Sequence, residues 1–488
     1  MAVRNVFTGR QMRQHALPDA AEAGFCLKFS PSASHPDKRG SRYAALTAAA
    51  AAAWLSLYPW AEAQADDAPS YTEIDQYHGE FSTKDGGTFS YLPDAGKFEA
   101  PHNYLIELNG THLTATGTDS SGLNPSELRI LNSDEGTVST NKLTYYTGFS
   151  AYASAGAADG GSITFVRSRL GADNNIFDFT GTELSASGSA QSVPDGHEPI
   201  FSSLTFTDSL QGASNSNTVT MNNGSTQNSS VTLTGGASAV FVSGAAGAAS
   251  NTITLNGTTL SAEGVSEGGC VYGGITLVRS SEGAVSDSTL EVNTDSNGKR
   301  TTMTASDGAS IHFINGANGV EKYTIGLDGA DISAAGAQAG GSVYGDITLV
   351  ESSHGIVSGS GSKLTLSRDG SGNRTSLTAT DGASVYFVNG AEGAEGNTIE
   401  LNGADISAKG VQADGRVYGG AITLIGSSDG TVSGSTVNLH SDGSGAGTTL
   451  KATDGASIHL VSGAKGAEGN EIEINGAAIT ATAIRRTA

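Results

Sequence analysis

The sequence predicts an all-β chain wound as a repetitive β-solenoid, and three observations carry that prediction. Glycine is 67 of 488 residues, roughly twice its usual share, while charged residues are 15% and aromatics 6%. Short alternating runs of β-branched residues recur, and the Leu/Glu/Lys-rich amphipathic stretches of helical domains do not. Two phrases return in register about every 73 residues. Glycine keeps no three-residue period, which excludes collagen, and the β-branched runs exclude simple disorder.

The first phrase is Asp307-Gly308-Ala309-Ser310, which returns as Asp381-Gly382-Ala383-Ser384 and Asp454-Gly455-Ala456-Ser457, with Gly235-Gly236-Ala237-Ser238 as a variant. An alternating stretch such as Val385-Tyr386-Phe387 follows each. The second phrase reads apolar-x-apolar-x-Gly-x-x-apolar-x-Ala. It runs Ile106 to Ala115, Phe177 to Ala186, Ile253 to Ala262, Ile325 to Ala334, Ile399 to Ala408 and Ile472 to Ala481.

Within the second phrase, Ile399-Glu400-Leu401 and Ile406-Ser407-Ala408 read as half-buried strands. Asn402-Gly403 between them has the composition of a hairpin turn, but such short arms are marginal in water. The glycine is therefore read as a corner between faces of a coiled sheet, where it supplies a positive φ. The repeat suits three coils of about 24 residues, stacked at about 4.8 Å through main-chain hydrogen bonds. Small Ala and Ser residues fill a narrow interior beside Val, Ile and Leu, and loops such as Asp369–Asn373 and Ser441–Gly447 project outward.

Residues 1–65 read as a long export signal. Lys38, Arg39 and Arg42 precede the apolar run Tyr43–Trp60, and Ala61-Glu62-Ala63-Gln64-Ala65 offers a cleavage site after Ala65. Cys26 leaves with that signal, so Cys270 is expected to stand alone in the exported chain. Residues 66–83 form a polar lead-in, 84–234 degenerate repeats, and 235–488 well-registered repeats whose last copy is incomplete. The ending Ile484-Arg485-Arg486-Thr487-Ala488 lacks a polar cap, so a truncated or frameshifted chain is expected. The net charge of -23 argues against nucleic acid as a partner.

These repeats resemble the passenger region of bacterial autotransporters (type V secretion). The residues that carry the resemblance are Asn397-Thr398-Ile399-Glu400-Leu401-Asn402-Gly403, Val417-Tyr418-Gly419-Gly420 and Gly430-Thr431-Val432-Ser433-Gly434, and it covers about 66–488. It implies a right-handed parallel β-helix displayed at the cell surface or secreted, with adhesive roles and host-surface or self-association partners. The family's terminal β-barrel translocator has no counterpart here, since no run of alternating ten-residue strands with aromatic girdles follows. The outer membrane is thus reached only through a translocator not present in this chain, and a periplasmic location is expected without one.

No catalytic, cofactor-binding or metal-binding residue is assigned, and no cofactor. His312 and His459 share a repeat position with Tyr386 and read as exposed strand residues. Asp307, Asp381 and Asp454 read as turn residues before glycine, not as calcium ligands. Glu392 with Glu395, or Asp331 with Asp405, would have to lie about 5–9 Å apart to hydrolyse a glycoside. Tyr272, Tyr344 and Tyr418 recur on one register, about 14 Å apart for three coils per repeat, and are given a packing role.

The function expected is a non-enzymatic surface display or adhesion rod. The alternatives are a polysaccharide-acting enzyme on the same scaffold and a non-functional truncated remnant. The enzyme requires a break in the repeat with clustered Asp, Arg and His. The sharp repeats from 235 onward suggest none, which leaves Asp195 and His197 in the degenerate part.

Overall fold

The computed structural model describes residues 72–77, 80–84, 88–92, 101–116, 126–146, 153–188, 201–413 and 416–482. They are strands joined by turns and loops, with no helix among them. The export signal expected over 1–65, the residues Asp195 and His197, and the closing segment from Ile484 lie outside the described residues.

Four parallel sheets form the walls of a β-helix. Sheets A and B have 12 strands each, sheet C has 11 and sheet D has 10. From Tyr104–Asn109 to Ala478–Ala481 the described chain visits them in that order. Thr252–Asn256 lies in A, Thr259–Glu263 in B, Gly274–Ser280 in C and Val285–Ser286 in D, and Thr289–Asn293 reopens A. Ile253 pairs with Leu290, and Leu290 with Ile325. One coil therefore takes about 36 residues, and the sequence repeat is two coils, not three of about 24. Four walls, one built of seven-residue strands, consume more chain than a 24-residue coil holds.

The two coils of a repeat differ at their corners. One carries a β-hairpin between sheets B and C: Val265–Glu267 with Cys270–Tyr272, Ala337–Ala339 with Ser342–Tyr344, and Val411–Ala413 with Arg416–Tyr418. The other carries an outward loop between A and B, at 294–301, 368–375 and 441–448. Cys270 lies in the first of these hairpins, and its expected solitude concerns the exported chain. That expectation removed Cys26 with the signal, and Cys26 lies outside the described residues.

Asn402-Gly403 is a corner, as its short arms suggested. Thr398–Asn402 belongs to sheet A, Asp405–Lys409 to sheet B, and Gly403 has φ 73°. At the B–C corner of the other coil, Asp381 and Gly382 take φ 55° and 87°, and Ala383 N–H donates to Thr380 C=O at 3.0 Å. Two consecutive positive φ values make this a type I′ turn, which explains the Asp-Gly pair.

The interior is filled in files along the axis. Ala262, Ala305, Ala334, Ala379 and Ala408 line sheet B. Phe165, Phe206 and Phe241 stack across sheet C, with ring centroids 5.5 and 4.3 Å apart. At the D–A corner a buried amide ladder runs Asn141, Asn175, Asn217, Asn251, each Nδ2 donating to the next Oδ1 at 3.0, 3.0 and 3.2 Å. Further along, Tyr323 replaces an amide, and its hydroxyl donates across a whole coil to Asn397 Oδ1 at 2.9 Å. Buried polar groups this well paired avoid the desolvation cost of an orphaned donor.

Candidate functional site

Three outward features break the uniform walls. The first is the file of A–B loops, opened by Asp295, Asp369 and Asp442. The Oδ1 of each accepts two backbone N–H groups of its own loop: Asn297 and Lys299, Ser371 and Asn373, and Ser444 and Ala446, all at 2.7–2.9 Å. Their Oδ2 atoms meet the preceding loop. Asn223 Nδ2 donates to Asp295 at 2.8 Å, Thr294 Oγ1 to Asp369 at 2.6 Å, and Arg368 Nε lies 2.8 Å from Asp442. Burial pushes the Asp295 and Asp369 carboxyls up, but these hydrogen bonds outweigh it and hold both below the ordinary value. At Asp442 the Ser444 hydroxyl leads the lowering.

Arginines clamp successive loops. Arg300 Nε donates to Gly329 C=O at 2.6 Å, and its Nη2 reaches Arg374 C=O at 2.8 Å. Arg374 repeats the pattern with Gly403 C=O at 2.6 Å and Gly447 C=O at 2.5 Å, and pairs with Asp405 at 2.8 Å. Each guanidinium thus spans the plain glycine corner of the intervening coil. Loop-to-loop bonding makes this file a self-supporting ridge.

The second feature is the file of B–C hairpins. Tyr344 Oη donates to Gly269 C=O at 3.2 Å, tying one hairpin to the tip of the previous one. Tyr272 stacks on Phe201 at 4.8 Å. These tyrosines recur every second coil, about 10 Å apart instead of the expected 14 Å. Packing accounts for the first two.

The third feature is a polar trough on sheet C. In strands such as Gly274–Ser280 two consecutive residues face the core, as Leu277 and Val278 do. A strand that turns two neighbours to one side bulges and bends. The outward side chains on either side of the bend then converge, and Arg129 Nη1 reaches Asn132 Oδ1 at 3.4 Å, three residues along one strand. Outward Asn132, Arg167, Asp208 and Ser243, on successive coils, are at most 7% exposed. Glu127 pairs with both Arg129 and Arg167, the latter at 3.0 Å. Burial pulls the Arg279 guanidinium down, and the Asp208 charge partly restores it.

Farther along, the trough gathers titratable groups from three consecutive coils. His312 comes from Ser310–Gly316, Glu351 from Ile347–Ser352 with Asp346 just before it, and Tyr386 from Val385–Gly390. His312 Nδ1 lies 3.8 Å from Glu351 Oε2. Asp346 Oδ1 accepts Ser384 N–H at 2.8 Å. Burial pushes Asp346 up to about 6 and, helped by the Asp346 charge, Glu351 up to about 7. Burial lowers His312 to about 4 and raises the Tyr386 hydroxyl to about 12. Near neutral pH His312 and Tyr386 are therefore uncharged, Glu351 shares its site between the protonated and ionised forms, and Asp346 is mostly ionised.

His312 therefore faces outward, but its side chain is only 27% exposed, which corrects the exposed position expected of it. His459 is exposed and bonds Ser457 Oγ at 2.9 Å. Asp307, Asp381 and Asp454 all occupy positive-φ turn positions. Glu392 and Glu395 are exposed near the D wall. Asp331 and Asp405 share an outward row of sheet B with Ser376 between them, about 10 Å apart. Each faces a loop arginine, Arg300 at 3.9 Å and Arg374 at 2.8 Å. Sequence reasoning missed the cluster of His312, Asp346, Glu351 and Tyr386. Its signal lay in the repeats thought to be free of any such grouping, and it emerges only when outward positions are aligned by 36-residue coils.

Comparison with protein-family models gives no match, and comparison with curated proteins gives none either.

Proposed function

We propose that the chain is a non-enzymatic exported display rod, comparable to an autotransporter passenger, whose projecting hairpins make adhesive contacts at the bacterial surface. The supporting observation is the division between walls and ornaments. Four uninterrupted sheets repeat coil after coil, while the hairpins are confined to one file that the walls do not need. The alternate coils close the same corner with a two-residue Asp-Gly turn, so the hairpins are additions to a sufficient scaffold. Export rests on the signal-like order of residues 1–65, and the acidic surface favours solubility of a displayed chain.

The test replaces residues 265–272, 337–344 and 411–418 with Asp-Gly turns. Beads coated with the parent chain should adhere to epithelial monolayers or to one another, and the hairpin-less chain should lose that adhesion while keeping its far-ultraviolet β spectrum. Equal adhesion by the trimmed rod, or none by the parent, defeats the reading. Retention of the parent in the cytoplasm with residues 1–65 uncleaved defeats its export half.

A further inference from the structure

We propose that the sheet C trough, where His312, Asn315, Asp346, Glu351, Tyr386 and Asn389 converge from three consecutive coils, is a binding site for an uncharged oligosaccharide lying along the rod axis. The trough lies on strands of the wall and not on the hairpins, so this inference stands apart from the display reading.

Four observations carry it. In the three strands two neighbouring residues turn to the core, Phe313 with Ile314, Leu349 with Val350 and Phe387 with Val388, which bends each strand between its outward polar residues. Asn315, Glu351 and Asn389 form one outward row in register, while His312, Thr348 and Tyr386 form the other. Two parallel files of hydrogen-bonding side chains at one-coil spacing suit a chain of hydroxyl-bearing rings. The Nδ1 of His312 is buried without a hydrogen-bond partner, because 3.8 Å to Glu351 is too long for one. Tyr386 is half-buried and offers a ring flank beside the polar row.

Charge selects the ligand. The groups facing Glu351 are His312 on the preceding coil, Asp346 at the start of its own strand and Tyr386 on the following coil. The nearest cation of its outward row, Arg279, lies two coils away and interacts with Asp208. The two rows carry no Lys or Arg on these three coils, Arg279 borders them only beside Asn315, and the chain's net charge of -23 repels polyanions. A protonated Glu351 donates a hydrogen bond to a sugar hydroxyl, whereas the ionised form only accepts. Binding should be stronger at pH 6 than at pH 8.

The experiment is calorimetric titration of the full chain with uncharged gluco-, manno- and galacto-hexasaccharides, using oligogalacturonate as charged comparator, at pH 6 and pH 8. At least one uncharged probe should bind, with affinity falling by about tenfold at pH 8. Both His312→Ala and Tyr386→Ala should weaken it by about tenfold or more. Glu351→Gln keeps the amide donor at every pH, so its affinity should fall less than the parent's between pH 6 and pH 8, with only Asp346 left to titrate there. Thr304→Ala, on the outward row of sheet B, should bind like the parent, and each variant's melting curve confirms that it is folded. Binding of no uncharged probe, preference for oligogalacturonate, or folded His312 and Tyr386 variants that bind like the parent would each overturn the proposal.

Discussion

Single residues act here through files. Asn217 donates to Asn251 Oδ1 and to Ala172 C=O, and accepts from Asn175, all inside the wall. Asn217→Ala strands buried donors and acceptors on both neighbouring coils, at about 1–3 kcal/mol for each orphaned group. A loss of about 2–4 kcal/mol should appear in urea unfolding, and a change within error would show that water replaces the ladder. Glu351 gives a pH prediction. Its carboxyl titrates near 7 when folded, against an ordinary 4.5, so the folded chain holds the proton over that interval. Its contribution to stability is full below about 4.5 and is lost as pH rises through 7. Asp346 has the same sign between its ordinary 3.8 and about 6. His312 opposes them, because its lowered value makes its contribution present above 6.5 and lost as pH falls through about 4. Glu351→Gln removes only the first of these. It should be more stable than the parent at pH 8, by on the order of 2 kcal/mol, and level with it at pH 4. Melting at the two pH values decides it, and equal gains at both would mean that packing, not titration, is responsible.

At the scale of elements, the corners decide how much could be read in advance. Asn402-Gly403 was legible because its flanking runs are too short to be hairpin arms, leaving a corner as the economical solution. Asp381-Gly382 was legible as a turn because the pair suits two positive φ values. The number of coils was not legible, since a period states where a pattern returns and not how many turns lie within it. Asn217, Asn251 and Asn397 each precede a Thr and an apolar residue, yet they become a ladder position only once sheet A fixes the 36-residue step. The trough was less legible still, because His312, Glu351 and Tyr386 differ in type and come from different coils. The loop ridge makes its own prediction. Arg374 is the staple between the corner at Gly403 and the loop at 441–448. That loop carries Gly447 where the others carry Arg300 and Arg374, so it has no guanidinium of its own to extend the ridge. Arg374→Ala should leave the walls intact and cost about 1 kcal/mol, since the side chain is 27% exposed. Amide exchange should quicken across 441–448 but not in Thr436–His440, and unchanged exchange in the loop would show that Asp442 alone holds it.

For the whole molecule, the governing fact is that each coil touches mainly its neighbours, so the rod is close to a one-dimensional array. Such an array should tolerate excision of whole units, and here the unit is two coils. Deleting 309–382 joins Gly308 to Ala383 and sets Ser384 where Ser310 stood, restoring the same corner and the same order of hairpin and loop coils. Deleting 311–346 joins Ser310 to Ile347 and also preserves strand register, since Ile311 and Ile347 are direct partners. It nevertheless sets the loops 294–301 and 368–375 on adjoining corners, about 4.8 Å apart. It also removes the Gly329 and Ala330 carbonyls that Arg300 binds. A register argument alone predicts that both deletions fold equally well. The corner argument predicts that only the two-coil deletion melts like the parent, with small-angle scattering showing a rod shorter by about 10 Å. Because backbone pairing is available to both deletion variants, any difference between them measures what the alternating corners add. Equal stability of the two would mean that loops and hairpins are passive ornaments on a wall that repeats every coil.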